Sequence, residues 1–258
     1  MGFIGGFLGQ ILLNRFSPPT EPKLAAYSEM SSNAEDFPYR LQHFFGKDFC
    51  GDIVGKEVAD FGCGGGRDVV EMVLRGAAQG TGMEIREELF ERGYRLAEQY
   101  GVADRCQFVP TSKTSVDVIT SVDAFEHFGD PENILNLMAK SLKPNGIAWI
   151  SFGPPWYHPK GGHLFSVFPW AHLIFTEKAL IEWRKKYRND GAACFSEVAG
   201  GLNQMSISRF KKIVQKSPFE ILSFECCPIK GIRLLNNPLT REFFSTIIRC
   251  RLRKKSDE

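Results

Sequence analysis

From Lys56 onward the hydrophobic positions change rhythm repeatedly, from short unbroken apolar runs to runs spaced three and four apart. "EVADFG" (57–62) is an apolar run halted by glycine, "RDVVEMVLRG" (67–76) has helical spacing, and "AQGTGMEI" (78–85) is strand-like again. "REELFERGYRLAEQYG" sets Leu89, Tyr94 and Leu96 among charges and stops at Gly101, which predicts a helix. There follow "CQFV" (106–109), "VDVITSVDAF" (116–125), a helix "PENILNLMAKSL" opened by Pro131, a turn "KPNG", and "GIAWISFG" (146–153). Short apolar strands separated by amphipathic helices predict an α/β fold with a parallel sheet covered on both faces.

The rhythm breaks after Pro154. Residues 154–205 are rich in aromatics, glycine and histidine, with one clear helix in "EKALIEWRKKYR". Regularity returns in "ISRFKKIVQKS" as helix, "FEILSFECC" as strand and "REFFSTIIRCRLRK" as a final strand. The domain plan is therefore an N-terminal helical segment at 1–50 packing on the core, and one domain at 51–258 with an insertion at about 154–205. A long irregular connection of this kind is expected to carry function, here as a lid over one end of the sheet.

Composition changes this picture little. The chain has 258 residues, 43% hydrophobic and 24% charged, with net charge +2, so neither nucleic acid nor a membrane is demanded as a partner. Seven cysteines without a CxxC pair or a histidine at zinc spacing argue against a disulfide framework or a metal site, and reduced thiols suit a cytoplasmic location. The start "MGFIGGFLGQILLNRF" is too short to span a bilayer and lacks a basic leader. It is read as a packed helix, with peripheral membrane contact as the alternative.

The chemistry gathers at "ADFGCGGGRD". Ligands of open parallel sheets bind beyond the carboxyl ends of the strands, and Asp60, Gly62, Gly64 and Gly66 form D-x-G-x-G-x-G at the first such end. Missing side chains there let backbone touch a ligand. A dinucleotide fingerprint would need glycine where Arg67 stands, and the sequence contains no phosphate-binding G-x-x-x-x-G-K-[ST] loop. Glu84, at the end of the second strand, is a candidate acceptor for ribose hydroxyls; its alternative is a solvent-facing helix start.

On these residues the chain resembles the class I S-adenosylmethionine-dependent methyltransferases of the bacterial small-molecule type, over about 37–155 and again over 206–254. The resemblance implies a Rossmann-like, doubly wound, mostly parallel seven-stranded sheet with an antiparallel last strand. It implies S-adenosyl-L-methionine as cofactor, with Asp60, Gly62 and Gly64 along its methionine half and Glu84 on its ribose. Cys63, Gly66 and Val122 fall in the same loop and strand end and join the cofactor set. "SVDAFEHF" resembles the family's acidic-His segment. The family's usual acidic residue after the third strand is missing from "VPTSKTSVD", so Thr111 or Ser112 is expected to supply the adenine contact instead.

Methyl transfer to an alcohol or phenol calls for a base, and His127 in "FEHF" is the first candidate, the other reading being a histidine that structures the next helix. His158 and His163 flank "PKGG" and read first as loop histidines, then as alternative bases; His172 reads as packed among aromatics. In "SFGPPWYHPKGGHLF" the prolines should end the fifth strand and turn Trp156 and Tyr157 toward the mouth of the site, as a substrate wall or as a hydrophobic plug. The expected activity is methyl transfer to a small, partly apolar acceptor at oxygen. The alternatives are a nucleic-acid methyltransferase and a non-catalytic cofactor-binding or scaffold protein.

Overall fold

The computed structural model describes residues 2–16, 40–110, 115–165, 167–186, 191–198, 200–231 and 237–256. In chain order these form α1 (Gly6–Phe16), α2 (Arg40–Phe45), α3 (Lys47–Ile53), β1 (Glu57–Phe61), α4 (Arg67–Leu74), β2 (Gln79–Met83), α5 (Phe90–Gln99), β3 (Cys106–Val109) and β4 (Val116–Val122). Then come α6 (Pro131–Ser141), β5 (Leu142–Phe152), α7 (Ala171–Ile174), α8 (Glu177–Arg184), α9 (Ile207–Lys216), β6 (Phe219–Pro228), α10 (Arg241–Phe244) and β7 (Ser245–Lys254).

The seven strands make one sheet in the order β3-β2-β1-β4-β5-β7-β6. β1 to β5 run parallel, while β7 pairs antiparallel with both β5 and β6. Because β1 is flanked by β2 on one side and β4 on the other, the order reverses at β1, and the crevice beyond its carboxyl end is where such sheets bind ligands.

Both faces are covered, as unbroken apolar strands require. On one face Leu135, Met138, Ile207, Phe210 and Val214 of α6 and α9 pack on Ile119, Ile150 and Phe152. On the other, α2 and α3 bring Leu41, Phe45, Phe49 and Ile53 onto Val118 and Trp149, with the Trp149 ring centroid 5.3 Å from Phe45 and 5.8 Å from Phe49. Asp52 fastens α3 to the sheet, accepting from Trp149 Nε1 at 2.8 Å and from Arg251 Nη2 at 2.7 Å.

Two local expectations need correction. The "KPNG" turn lies inside β5, absorbed as an irregularity: the β4–β5 register shifts between Val116 and Val118, and Asn145 takes a φ of 60°. The last strand starts at Ser245, because residues 241–244 form α10 first.

The insertion has a core of its own. Trp156, Phe165, Phe175, Leu180, Trp183, Phe195 and Leu202 pack together, and Leu13 of α1 packs with them. α1 therefore lies on α8, where Gln10 Nε2 donates to the Ala179 carbonyl at 2.8 Å. The N-terminal region thus splits: α1 joins the insertion, while α2 and α3 cover the sheet.

Candidate active site

The glycine loop follows β1 because its backbone must reverse in little space. Gly62 N–H and Cys63 N–H both donate to the Met83 carbonyl, at 2.9 and 3.1 Å, which ties the turn to β2. Gly66 opens α4 with φ 78°, and any Cβ there would enter the Phe108 ring. At Gly64 the requirement is different: φ is 51° and a Cβ would meet nothing within 4 Å, so open space lies in front of that backbone.

Glu84 reaches this loop. Its Oε2 accepts from Gly64 N–H at 3.1 Å and from Arg86 Nη2 at 2.9 Å, and its Oε1 accepts from Arg86 N–H at 3.1 Å and Arg86 Nε at 3.0 Å. Burial alone would raise the carboxyl, but the Arg86 and Gly64 hydrogen bonds hold it below its ordinary range. It is a fixed anion at neutral pH. A ribose diol taking these oxygens must displace the Arg86 guanidinium, whose side chain is 57% exposed and free to move aside.

Around the loop stand more carboxylates than cations. Asp60 is buried, accepts from Thr120 Oγ1 at 2.7 Å, and is pushed up to about 8 by burial and by Asp68. Glu126 is pushed up to about 8 by burial and Asp123, and Asp123 up to about 6 by burial. Arg40 of α2 is their shared counter-ion, bonded to Asp68 and, through Nη2 at 3.0 Å, to Asp123. Asp68 Oδ1 and Glu126 Oε2 are buried without a hydrogen-bond partner among the described residues. One guanidinium does not neutralise this group, so the cradle favours a ligand that carries positive charge.

Just beyond β4, His127 Nδ1 lies 2.8 Å from the Gly201 carbonyl of the insertion. A carbonyl only accepts, so Nδ1 carries the proton and Nε2 keeps its lone pair. Burial lowers the pKa, leaving the ring neutral near pH 7. Asn203 holds the same turn, with Nδ2 donating to the Phe125 and Phe128 carbonyls at 2.7 and 2.8 Å and its N–H to the Glu126 carbonyl at 2.9 Å. His163 faces His127 edge-on at 5.4 Å, and burial with the nearby His127 takes its pKa down to about 3.

The remaining expected residues are placed elsewhere. His158 is engaged in its own turn, its Nδ1 accepting from Lys160 N–H at 2.9 Å, and burial lowers it to about 4. Trp156 is packed within the insertion core, its ring 4.6 Å from His172 and 5.6 Å from Phe195. Tyr157 comes to the surface and stacks on Phe243 at 5.7 Å. Val122 is buried on the α2–α3 face of the sheet, Cys63 is buried beneath the loop, and Ser112 and Thr111 lie outside the described residues. Sequence reasoning missed Arg40, Asp68, Asp123, Glu126, Arg86 and Asn203. Asp123 and Glu126 stood in the quoted "SVDAFEHF", but Arg40 and Asn203 belong to segments without any motif.

Comparison with known proteins follows the same outline. Residues 59–150, from β1 through β5, match the methyltransferase domain family. Over this stretch the chain is similar to the class I S-adenosylmethionine-dependent methyltransferases. Among curated relatives, the ubiquinone biosynthesis O-methyltransferase of Neisseria meningitidis is 32% identical over 156 residues, 57% of this chain and 63% of that protein. The chain thus matches less than two thirds of that relative's length. An S-adenosylmethionine-dependent methyltransferase from Mesorhizobium loti shares the fold with a TM-score of 0.55 at 15% identity, over 86% of this chain and 99% of the other. The [4+2]-cyclase SpnF shares it as well, with a TM-score of 0.56 at 14% identity, over 88% and 82%. The fold of the methyltransferase domain alone therefore does not fix the reaction.

S-adenosylmethionine, the cofactor named for the Mesorhizobium loti enzyme, would fit the residues present. Its ammonium and sulfonium groups suit the surplus of carboxylates at Asp60, Asp68 and Asp123. Arg40 could offer a guanidinium to its carboxylate and Glu84 two acceptors to its ribose, and the space before Gly64 would let backbone approach it.

Proposed function

We propose that this chain transfers a methyl group from S-adenosylmethionine to an oxygen of a small, partly apolar acceptor, with His127 as the general base. The observation that carries the reading is the tautomer of His127: a neutral imidazole whose Nδ1–H is spent on Gly201 and whose Nε2 is left to take a proton, beside a cofactor cradle. The bound cofactor supplies an electrophilic methyl on a sulfonium. The protein's share is to align the acceptor oxygen with that methyl, take the hydroxyl proton at His127 Nε2 and keep water out. Asn203 and Gly201 serve as positioning residues, since they hold the His127 turn and its ring.

The acceptor class rests on the names of the relatives, O-methyltransferases of ubiquinone biosynthesis. Binding without methyl transfer is the second reading, and the shared fold of a [4+2]-cyclase gives it substance. Incubation with methyl-labelled cofactor and lipid and aqueous extracts decides between them: a labelled product supports the proposal, and tight cofactor binding without any labelled product would remove it.

A further inference from the structure

The residues of α1 face the opposite way from those of a helix that fills a core. Its small residues point inward: a Cβ on Gly5 would stand 2.7 Å from Thr176 Oγ1, and one on Gly9 3.5 Å from the Ala179 side chain. Leu13 is buried against the insertion, but most of the large apolar side chains in and just before α1 turn out, with Phe3 79%, Phe7 83%, Leu8 60% and Ile11 46% exposed. Phe7, Ile11 and Arg15 follow one another at four-residue spacing and so share a row along the helix. Rings exposed to this degree project from the surface, whereas a flush patch would hide much of each.

The charge around this row has one dominant sign. α1 contains no acidic residue and ends in Arg15. Lys178, Lys185 and Lys186 are exposed on and just after α8, and Lys186 Nζ bonds Asn14 Oδ1 at 2.6 Å, which places it beside the last turn of α1. The acidic residues of the pair are engaged: Glu177 accepts from Phe195 N–H at 2.5 Å and Glu182 lies 3.4 Å from Gln10 Nε2. At 11 residues α1 is too short to cross a bilayer, and no helix among the described residues is long and apolar enough to do so.

We propose that α1 docks this protein on an anionic lipid surface, lying in its plane with Phe3, Phe7, Leu8 and Ile11 among the acyl chains and Arg15, Lys185 and Lys186 on the phosphates. The insertion that packs on α1 also holds His127 through Gly201, so docking engages the same insertion that braces the candidate base. The docking claim stands without the catalytic one.

Flotation of the full chain with vesicles of phosphatidylcholine, with and without phosphatidylglycerol, tests it. The protein is expected to float with the anionic vesicles and much less with the neutral ones. Phe3→Ser with Phe7→Ser should lower partition about tenfold or more, and Arg15→Gln with Lys185→Gln about fivefold or more on anionic vesicles alone. All four sites are exposed, so the melting temperature should not move. Absence of binding to anionic vesicles overturns the proposal, as does binding indifferent to the phenylalanines. So does a concentration-dependent dimer abolished by the Phe7→Ser change, which would mean that a second copy covers the row.

Discussion

At the carboxyl ends of β1 and β4, Asp60, Asp123 and Glu126 are held above their ordinary range, to about 8, 6 and 8, by burial first and then by neighbouring carboxylates, Asp68 for Asp60 and Asp123 and Asp123 for Glu126. In the insertion, His158, His163 and His172 are held below theirs, to about 4, 3 and 4, by burial in a packed core. Asp60 and Glu126, like the three histidines, are thereby held largely uncharged near neutral pH, for different reasons. The carboxylates lie at strand ends beside the glycine loop, where a bound cation would favour their ionised forms; the histidines are packed among the aromatic rings of the insertion. Perturbed groups mark a ligand site only where a ligand has room.

The largest expected effect falls on the insertion. Trp156→Ala opens a cavity within its core and should cost about 3–5 kcal/mol of stability. Calorimetric cofactor affinity of the protein that remains folded should be near that of the parent. Normal stability with a weakened acceptor interaction would instead make Trp156 a wall of the site. Next comes the sheet end: Glu84→Ala should weaken S-adenosylmethionine binding by about 1.5–3 kcal/mol, the range for hydrogen bonds to a charged group. Unchanged affinity in a folded variant would remove Glu84 from the ribose contact.

Titration separates the regions by sign. The carboxylates have folded pKa values above their unfolded ones, so their contribution to stability is present in acid and is lost as pH rises through about 6 to 8. The histidines have folded values below 6.5, so theirs is present above 6.5 and is lost as pH falls toward about 4. Tryptophan fluorescence, with Trp156, Trp170 and Trp183 all in the insertion, should report loosening on acidification below 6.5. Cofactor binding should release protons and tighten as pH rises through about 8, because the ligand's positive charge favours the ionised carboxylates. Proton uptake in calorimetry across buffers would contradict that sign. The smallest effect is expected at Arg86→Ala. Losing its pair with buried Glu84, on the Arg86 side exposed to solvent and so worth about 1 kcal/mol, should tighten cofactor binding no more than about fivefold.

The sheet end was legible in the sequence because backbone demands write themselves as residue types. Gly64 and Gly66 at positive φ, and Glu84 at a strand end twenty residues past Gly64, are each dictated by local geometry. The antiparallel last strand came from the family resemblance, and its place between β5 and β6 from the structure, since local pattern does not record strand order. The insertion was poorly legible. Packed Trp156 and surface Tyr157 look alike in one dimension, and the Gly201 carbonyl that fixes His127 comes from 74 residues away. Arg40 had no signal either, because a lone arginine on a short helix acquires meaning only through the Asp68 and Asp123 it meets.

The proposed division of labour, in which the sheet end would hold the cofactor and the insertion-held His127 would take the proton, is tested most directly by one paired measurement on His127→Ala. Methyl transfer from labelled cofactor to the acceptor found in extracts should fall about a hundredfold or more, while calorimetric affinity for S-adenosylmethionine stays at the parent value. Full transfer by the variant, or loss of cofactor affinity in step with activity, would contradict the assignment of His127 as the base.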